Sequence, residues 1–267
     1  MTTLQRLNDM SGRRVLITGG TGHLGRMMAD TLAELGARIV ALDLPGSDFA
    51  SLENHLSLTW GVECCSIPCD LEVEEDRDNA ISRIKDDGLG LSCLINNAAF
   101  VGTTGLEGWT SPFEQQTLST WRRALEVNLT APFHLAQAFT RELSLAKGGN
   151  IINITSIYGE LAPDWKMYSG TSMGNPAAYS ASKGGLQQLT RWLASTLSPG
   201  IRVNGICPGG LIRDQPAEFV QRYNSKTPLN RMAVVDDFRG AVSFLASDLS
   251  QYVTGQILKI EGGYGIW

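Results

Sequence analysis

The most constraining feature of this sequence is a short apolar run that leads directly into a glycine-rich turn and then into a helical pattern. Residues 14–18 are typical of a buried strand, and the turn from Gly19 to Gly25 follows without a break. Apolar residues then recur at helical spacing up to Gly36. Glycines let the backbone approach a pyrophosphate, and the helix N-terminus faces its negative charge. Strand, turn and helix in this order therefore predict a dinucleotide-binding βαβ unit.

Strand-like and helical runs alternate along the rest of the chain. The predicted strands lie near residues 14–18, 38–42, 64–69, 91–95, 150–155, 201–206 and 256–261. The predicted helices lie near residues 23–36, 72–86, 118–146, 178–197 and 236–247. This alternation predicts an α/β fold, a doubly wound parallel sheet with helices on both faces. No long linker or internal repeat divides the sequence, so we expect one domain over residues 1–267, with residues 1–12 as an N-terminal extension.

The second predicted strand ends at Asp43, 24 residues after Gly19. A carboxylate at this place suits the two ribose hydroxyls of NAD and repels the additional phosphate of NADP. The glycine turn carries no lysine or arginine, and Arg38 begins the strand instead of ending it. The alternative is that Asp43 only shapes the turn before Pro45. On the first interpretation the cofactor is NAD(H), in preference to NADP(H).

Tyr179 and Lys183 stand four residues apart in a segment that is compatible with a helix, so both side chains lie on one face. A free tyrosine has a pKa of about 10, which is too high for proton exchange near neutrality. Lowering that pKa by ~3 takes about 4 kcal/mol. An ammonium ~4 Å away supplies roughly that much at an effective dielectric constant of ~20. The spacing therefore predicts that Lys183 lowers the pKa of Tyr179.

Composition and charge fit an enzyme of the cytoplasm. The net charge of −5 argues against nucleic acid or an anionic membrane as a partner. No apolar run reaches membrane-spanning length, and residues 1–12 lack the apolar stretch of a signal peptide. We interpret the five cysteines as buried thiols, and since no histidine pairs with them at metal-ligand spacing we expect no metal site.

With these residues in view, the chain resembles the short-chain dehydrogenase/reductase family, in its single-domain branch. The matching segments occur in the family's order along the chain. They are Thr18-Gly19 to Gly25, Asp43, Cys69-Asp70-Leu71, Asn96-Asn97-Ala98-Ala99, Asn128, Asn153-Ile154-Thr155-Ser156, the pair Tyr179 and Lys183, Pro208-Gly209, and Gly262-Gly263. The resemblance implies a Rossmann-type sheet of seven strands in the order 3-2-1-4-5-6-7. It also implies a homo-oligomer, a dimer or a tetramer, in which helices near 118–146 and 178–197 pair and the tail ending at Trp267 is buried.

The resemblance further implies an NAD(H)-dependent oxidoreductase that interconverts a secondary alcohol and a carbonyl. Tyr179 would be the general acid or base, with Lys183 bonded to the nicotinamide ribose. Ser156 would polarise the reacting oxygen, and Asn128 would bind a water that connects Lys183 to solvent. The implied cofactor-binding residues are Gly19, Thr21, Gly22, His23, Leu24, Gly25, Asp43, Asp70, Leu71, Asn97, Ala98, Tyr179, Lys183, Pro208 and Gly209. For Asp70 the alternative role is the N-cap of the following helix.

Other functions remain open on the sequence alone. His23 gives the glycine turn the spacing TGxxGxxG, which is commoner in the longer branch of the family. That branch includes nucleotide-sugar epimerases and dehydratases, which retain NAD through turnover. A non-catalytic NAD-sensing scaffold is the remaining alternative. Arg213 stands where the family often has a threonine beside the nicotinamide, and it could instead meet an anionic group of the substrate.

The segment between Ser156 and Tyr179 is about ten residues longer than is usual in the family. It is polar and aromatic, and it must border the substrate because it joins two catalytic residues. A steroid or fatty-acyl pocket would be more uniformly apolar. The segment resembles a subgroup found in bacterial surface-sugar and nonulosonate pathways, so we predict a sugar or sugar-phosphate substrate and a place in carbohydrate metabolism; the alternative is a loop for oligomer contacts. The candidate substrate residues are Tyr158, Trp165, Tyr168 and Arg213.

Overall fold

The computed structural model describes residues 1–101 and 104–267, and within them seven parallel strands form one sheet. The strands are β1 (Arg14–Thr18), β2 (Arg38–Asp43), β3 (Cys64–Pro68), β4 (Cys93–Asn96), β5 (Asn150–Ile154), β6 (Arg202–Pro208) and β7 (Ile257–Ile260). Their order across the sheet is β3-β2-β1-β4-β5-β6-β7. The predicted fold class and strand order are confirmed. Because the order reverses between β1 and β4, the carboxyl ends of these strands flank a crevice suited to a ligand.

Helices cover both faces of the sheet. They are α1 (Thr3–Asn8), α2 (His23–Glu34), α3 (Phe49–Trp60), α4 (Glu74–Asp86), α5 (Leu118–Leu125), α6 (Ala131–Ala138), α7 (Thr140–Leu145), α8 (Ala177–Leu197), α9 (Ala217–Lys226) and α10 (Arg239–Ala246). The strands and α2, α4, α8 and α10 occur where the sequence predicts them. The sequence prediction missed α1, α3 and α9, and the single helix predicted over 118–146 is in fact α5, a π-helical turn at Glu126–Thr130, α6 and α7.

Buried apolar side chains fill the space between the sheet and the helices. One cluster joins alternate residues of the strands, such as Val15 and Ile17, to α2 and α10. On the other face Leu16 and Leu94 belong to a cluster that includes Leu135 of α6. Every residue of β1 is buried, as expected of a central parallel strand covered on both sides. The core thus fixes the strand ends that meet at the crevice.

All five cysteines are free thiols, but the interpretation of them as buried is confirmed for only three. Cys69, Cys93 and Cys207 are buried, whereas Cys64 and Cys65 on β3 are only half-buried. Burial raises the pKa of the Cys93 thiol to about 12, so this sulfur stays protonated. Among the described residues, no helix has both the length and the apolar character needed to cross a membrane.

Candidate active site

A cleft of about 560 Å³ opens at the carboxyl edge of the sheet, and we call it the carboxyl-edge cleft. Most of the residues that the sequence singles out form its wall. Those in the wall are Gly19, Gly22, His23, Leu24, Asp43, Asp70, Leu71, Asn97, Ala98, Ser156, Tyr158, Tyr168, Tyr179, Lys183, Pro208, Gly209 and Arg213. Thr21, Gly25, Asn128 and Trp165 lie outside the wall. The structure therefore brings most of the cofactor, catalytic and substrate candidates together in one place.

The turn after β1 is held in a fixed shape by its neighbours. Gly19 has a φ of +65°, which favours glycine, and its carbonyl accepts a hydrogen bond from Nδ2 of Asn97 at 3.1 Å. The Thr18 hydroxyl accepts the backbone N–H groups of Asn97 and Ala98, both at 3.0 Å. A Cβ atom on Gly25 would lie 2.0 Å from the carbonyl oxygen of Gly19, so only glycine lets α2 approach the turn this closely. Asn97 and Gly25 thus shape the wall by packing and hydrogen bonding.

The N-terminus of α2 is suited to hold the diphosphate of a dinucleotide. Its N-cap is Gly22, which provides no side-chain cap. The backbone N–H groups of His23 and Leu24 donate no hydrogen bond within residues 1–101 and 104–267. These unpaired donors and the positive end of the helix dipole face the cleft, and they favour an anion. The site therefore fits the cofactor that its residue pattern predicts.

Asp43 lies at the end of β2, in the wall of the cleft, and it also organises the turn. Its Oδ2 atom accepts the N–H of Thr21 at 2.9 Å and the Thr21 hydroxyl at 2.6 Å, and its Oδ1 atom accepts the N–H of Leu44 at 2.9 Å. Thr21 therefore acts by positioning this carboxylate. Asp43 is therefore a turn residue, and its contact with the cofactor stays a prediction.

Asp70 faces the cleft but does not cap the following helix. Its Oδ1 atom accepts the N–H of Glu72 at 2.9 Å, which closes a local turn after β3. The N-cap of α4 is Val73, so the alternative interpretation of Asp70 as the N-cap is wrong. The turn leaves Asp70 and Leu71 side by side in the wall.

Ser156, Tyr179 and Lys183 meet in the cleft because the end of β5 packs against the first turns of α8. Ser156 follows β5 and is buried, and its Oγ atom accepts the N–H of Tyr158 at 3.2 Å. Lys183 is 2% exposed, and its Nζ atom donates to the carbonyl oxygen of Ile154 at 2.7 Å. A Cβ atom on Gly159 would lie 2.7 Å from the carbonyl carbon of Lys183, so glycine permits this close approach.

The electrostatics of Tyr179 differ from the prediction made from spacing. Burial raises the pKa of the Tyr179 phenol, and the Ser156 hydroxyl and the Arg213 guanidinium oppose the rise. Burial also lowers the pKa of the Lys183 ammonium to about 8. The predicted lowering of the Tyr179 pKa by Lys183 is wrong. The Nζ atom of Lys183 donates to the Ile154 carbonyl and lies 5.9 Å from the centre of the Tyr179 ring. The desolvation of the phenol therefore outweighs the attraction of the ammonium for a phenolate. Tyr179 is accordingly a protonated phenol near neutrality and is ready to donate its proton.

Asn128 lies in the π-helical turn between α5 and α6, behind the cleft. Its Oδ1 atom accepts the N–H of Phe100 at 2.8 Å, and its Nδ2 atom donates to the Phe100 carbonyl at 3.2 Å and the Ser182 hydroxyl at 3.0 Å. The side-chain amide is thus engaged in tying the segment after β4 to α8, and it is fully buried. The side-chain amide thus joins two segments of the fold, and the water-binding role of Asn128 stays a prediction.

Aromatic residues of the segment after Ser156 and of α9 line another part of the cleft. The Tyr168 hydroxyl donates to the Tyr158 hydroxyl at 2.7 Å, and the Tyr168 ring lies 5.5 Å from that of Phe219 on α9. Trp165 is 60% exposed and packs on the outer side of Tyr168, with ring centres 5.9 Å apart. Trp165 lies outside the wall, and its assignment as a substrate residue stays a prediction.

Arg213 lies in the wall and is exposed. In the described part of the chain no carboxylate lies within ion-pair distance of its guanidinium. Its backbone N–H is bonded to Oε1 of Gln215 at 2.6 Å, which fixes the loop at this point. A cation with no carboxylate beside it is thus available at the cleft for an anionic group.

Sequence reasoning missed several residues of the wall. They include Met173, Asn175, Gln215, Phe219, Tyr223 and Met232. Phe219 and Tyr223 are four residues apart and both buried, and they follow Pro216, which caps α9. That combination is a signal for an amphipathic helix that could have revealed α9.

The sequence of this chain is similar to those of known reductases and dehydrogenases. Residues 21–265 match the family model described as Enoyl-(Acyl carrier protein) reductase. The chain is 30% identical to 5-keto-D-gluconate 5-reductase of Escherichia coli, with 96% of this chain and 97% of that protein aligned. It is 29% identical to a 3-oxoacyl-[acyl-carrier-protein] reductase of Aquifex aeolicus, with 95% and 98% aligned. It is 31% identical to a probable galactose dehydrogenase of Rhizobium meliloti, with 96% of each chain aligned.

Solved structures of similar shape bind either form of the cofactor. An NADPH-dependent 3-quinuclidinone reductase from Rhodotorula rubra superposes with a TM-score of 0.88 at 27% identity, covering 100% of this chain and 96% of that one. A gluconate 5-dehydrogenase from Burkholderia cenocepacia, in complex with NADP and tartrate, gives 0.85 at 30% identity and covers 99% of each chain. An NAD+-bound xylitol dehydrogenase gives 0.83 at 29% identity, covering 95% of this chain and 99% of that one.

Proposed function

The chain belongs to the short-chain dehydrogenase/reductase family and is an alcohol–carbonyl oxidoreductase, and we propose that it uses NAD(H) to oxidise or reduce a hydroxylated, sugar-like substrate. The observation that carries the reaction type is the meeting of Ser156, Tyr179 and Lys183 in the carboxyl-edge cleft. A phenol, a hydroxyl and an ammonium beside a dinucleotide site are the groups that proton-coupled hydride transfer requires.

The bound nicotinamide cofactor would supply the hydride chemistry, and residues of this chain handle binding and the proton. The N–H groups of His23 and Leu24 hold the diphosphate at the start of α2. Ser156 donates its hydroxyl to the reacting oxygen and stabilises the charge that develops there. Tyr179 gives a proton to a carbonyl oxygen in reduction and is left as a phenolate, and in oxidation the phenolate form takes a proton from a hydroxyl. Lys183 would hold the nicotinamide ribose of the cofactor through its ammonium, as the family resemblance implies.

The proposed preference for NAD(H) rests on Asp43. Its carboxylate faces the cleft, and Thr21 and Leu44 fix both of its oxygens by hydrogen bonds. A fixed negative charge at the end of β2 repels a 2′-phosphate. Similar structures hold NAD+ in one protein and NADP in another, so similarity of fold does not set the cofactor preference. The proposed preference for NAD(H) therefore depends on Asp43.

The proposed substrate class rests on three polar side chains in the wall of the cleft. Tyr158 and Tyr168 present hydroxyls, and Arg213 presents a guanidinium without a carboxylate beside it. Two relatives act on gluconate-type or galactose substrates by their names, and both align with nearly the whole chain. A sugar, a sugar acid or a sugar phosphate satisfies this set of donors. An acyl thioester is the second candidate, because Met173, Phe219 and Met232 are apolar and a similar protein is a 3-oxoacyl reductase.

A substrate screen tests the proposal. Purified protein would be given NAD+ or NADP+ with neutral sugars, aldonates, sugar phosphates and apolar secondary alcohols, and NADH or NADPH with the corresponding ketones and a 3-oxoacyl thioester. We expect NADH release with a sugar or aldonate, and at least tenfold less with NADP+. Turnover of only apolar alcohols or thioesters would contradict the sugar assignment. A sugar converted without release of NADH would instead identify the epimerase or dehydratase alternative.

The matched variants Tyr179→Phe and Tyr252→Phe separate catalysis from scaffold function. Tyr252 is a fully exposed tyrosine outside the cleft, so its variant should keep full activity. Tyr179→Phe should lose at least a hundredfold in kcat while still binding NADH, because it lacks only the hydroxyl that exchanges the proton. Equal activity of the two variants would favour the scaffold alternative.

We also propose a homo-oligomer, a dimer or tetramer, in the cytoplasm. Trp121 on α5, Phe133 on α6 and Trp192 on α8 are large apolar side chains with 36% to 55% of their surface exposed, and Trp267 at the chain end is 75% exposed. Such side chains are suited to burial between subunits. Sedimentation equilibrium should show a dimer or tetramer, and a monomer at micromolar concentration would contradict this assignment.

A further inference from the structure

Asn175 is a buried residue in the wall of the cleft, and one polar atom of its side chain has no hydrogen-bond partner in the described part of the chain. Its side chain is only 6% exposed, and it lies in the wall of the carboxyl-edge cleft. The Oδ1 atom accepts the Ser180 hydroxyl at 3.1 Å. The Nδ2 atom has no hydrogen-bond partner among the residues that the structure describes. Buried polar groups are nearly always paired, so an unpaired amide donor in a cleft wall indicates a partner that arrives with the ligand.

The backbone at Asn175 is fixed by the start of α8, and the Ser180 hydroxyl anchors the side chain through Oδ1. The next residue is Pro176, which restricts the residue before it to extended conformations. The Pro176 carbonyl accepts the N–H groups of Tyr179 and Ser180 at 3.0 and 3.3 Å, and so it closes the first turn of α8. Asn175 is therefore fixed one helical turn before the proton donor Tyr179. A donor fixed in this way can position a ligand without loss of its own conformational freedom.

The surroundings of the amide are polar as well as aromatic. Burial raises the pKa of the Tyr168 phenol to about 12, and the neighbouring Tyr158 hydroxyl and Asn175 amide oppose the rise. The Tyr168 hydroxyl is already donated to Tyr158 at 2.7 Å. The amide thus lies beside the Tyr168 hydroxyl in the wall of the cleft, and its N–H, which makes no hydrogen bond of standard geometry among the described residues, can be donated to an acceptor there.

We propose that Nδ2 of Asn175 donates a hydrogen bond to a second oxygen of the substrate, distinct from the oxygen that reacts at Tyr179. Asn175 is then a specificity-determining residue that selects substrates with a hydroxyl or carboxylate oxygen at a fixed place relative to the reacting carbon. The inference rests on the proposed function, because it requires a substrate with several oxygens. A substrate that lacks this oxygen leaves the buried donor unpaired and is bound less well.

The test compares Asn175→Ala and Asn175→Asp with the wild type on one substrate from the screen and on its single-deoxy analogues. Asn175→Asp keeps the size of the side chain and replaces the donor by an acceptor. Asn224→Ala is the matched control, since Oδ1 of Asn224 is also buried and unpaired in the described part of the chain, but Asn224 lies outside the cleft wall. NADH binding, followed by fluorescence, reports whether each variant is folded.

In the wild type we expect kcat/KM to fall about tenfold for the one analogue that lacks the partner oxygen. In Asn175→Ala this discrimination should disappear, and in Asn175→Asp kcat/KM for the parent substrate should fall about tenfold or more. NADH affinity should stay within twofold in both variants, and Asn224→Ala should discriminate as the wild type does. Unchanged discrimination by both Asn175 variants would overturn the inference while leaving the proposed function intact. A wild type that turns over no sugar would overturn the proposed function, and the inference with it.

Discussion

Replacing Lys183 by methionine should stabilise the protein near neutral pH while it removes activity. Lys183 is 2% exposed, and burial lowers the pKa of its ammonium from 10.5 to about 8. The folded state therefore binds this proton less well than the unfolded state does. By linkage, the charge destabilises the fold fully below pH 8, and the penalty disappears as the pH rises through 10.5.

The magnitude follows from the two pKa values. At about 1.4 kcal/mol for each pH unit, the ammonium costs about 3 kcal/mol at pH 7 and less than about 1 kcal/mol at pH 10. Methionine has a similar length and no charge, but it leaves the Ile154 carbonyl without the hydrogen bond that Nζ donates at 2.7 Å. That loss costs about 1 to 2 kcal/mol at either pH. The variant should therefore be about 1 to 2 kcal/mol more stable than the wild type at pH 7 and slightly less stable at pH 10.

Urea unfolding at a fixed protein concentration measures this difference. The stability difference between Lys183→Met and wild type should shrink by about 2.5 kcal/mol from pH 7 to pH 10, whatever the value of the lost hydrogen bond. Lys147→Met is the control, because Lys147 is exposed and outside the cleft wall, so its replacement removes no buried ammonium. A difference that is the same at both pH values would refute the reasoning, since it would show that the ammonium is not desolvated in the folded state.

Four further outcomes follow from the same structure. Gly25→Ala should weaken NADH binding at least tenfold in a fluorescence titration, because its Cβ would lie 2.0 Å from the Gly19 carbonyl oxygen, whereas Gly240→Ala, with open space around it, should not. Asp43→Asn should raise the NADP+ to NAD+ ratio of kcat/KM about tenfold, and an unchanged ratio would contradict the role of its charge. For carbonyl reduction, kcat/KM should fall above pH about 8 as Lys183 loses its proton, and a flat profile to pH 10 would argue against a catalytic ammonium. Arg222→Ala should raise KM for the substrate severalfold with NADH affinity unchanged, because Arg222 on α9 binds the backbone of the segment between Ser156 and Tyr179. An equal loss of NADH affinity would count against separate substrate and cofactor parts of the cleft.

The cofactor half of the cleft was predictable because short-range patterns fix it. A buried strand followed by glycines places the turn, and parallel strands bring their carboxyl ends to one edge of the sheet whatever the loops do. The spacing of Tyr179 and Lys183 likewise fixes their common helix face. Spacing does not fix where a flexible side chain ends, and Lys183 turned to the Ile154 carbonyl in a desolvated site. The direction of the Tyr179 pKa shift therefore required the structure.

The helices that the sequence prediction missed also show what a burial pattern does not reveal. Over Phe49–Trp60 only Leu52 and Leu56 are buried, so the apolar periodicity of α3 is weak. The signals that define this helix are at its ends, where Asp48 caps the first turn and Gly61 ends it with a φ of +65°. End signals are informative where the burial pattern is faint.

The substrate half of the cleft is built from contacts between segments that are distant in the sequence. Lys226 on α9 pairs with Asp164 at 2.9 Å, and Lys259 on β7 pairs with Glu160 at 2.7 Å. These carboxylates of the segment between Ser156 and Tyr179 thus serve to attach it to the fold, although their polarity alone suggested substrate contacts. The residue that sequence reasoning overlooked, Asn175, has the opposite property, because its amide donor is buried and unpaired among the described residues. On the proposal made for Asn175, unmet hydrogen-bonding capacity beside a catalytic site is a better guide to substrate recognition than polarity itself.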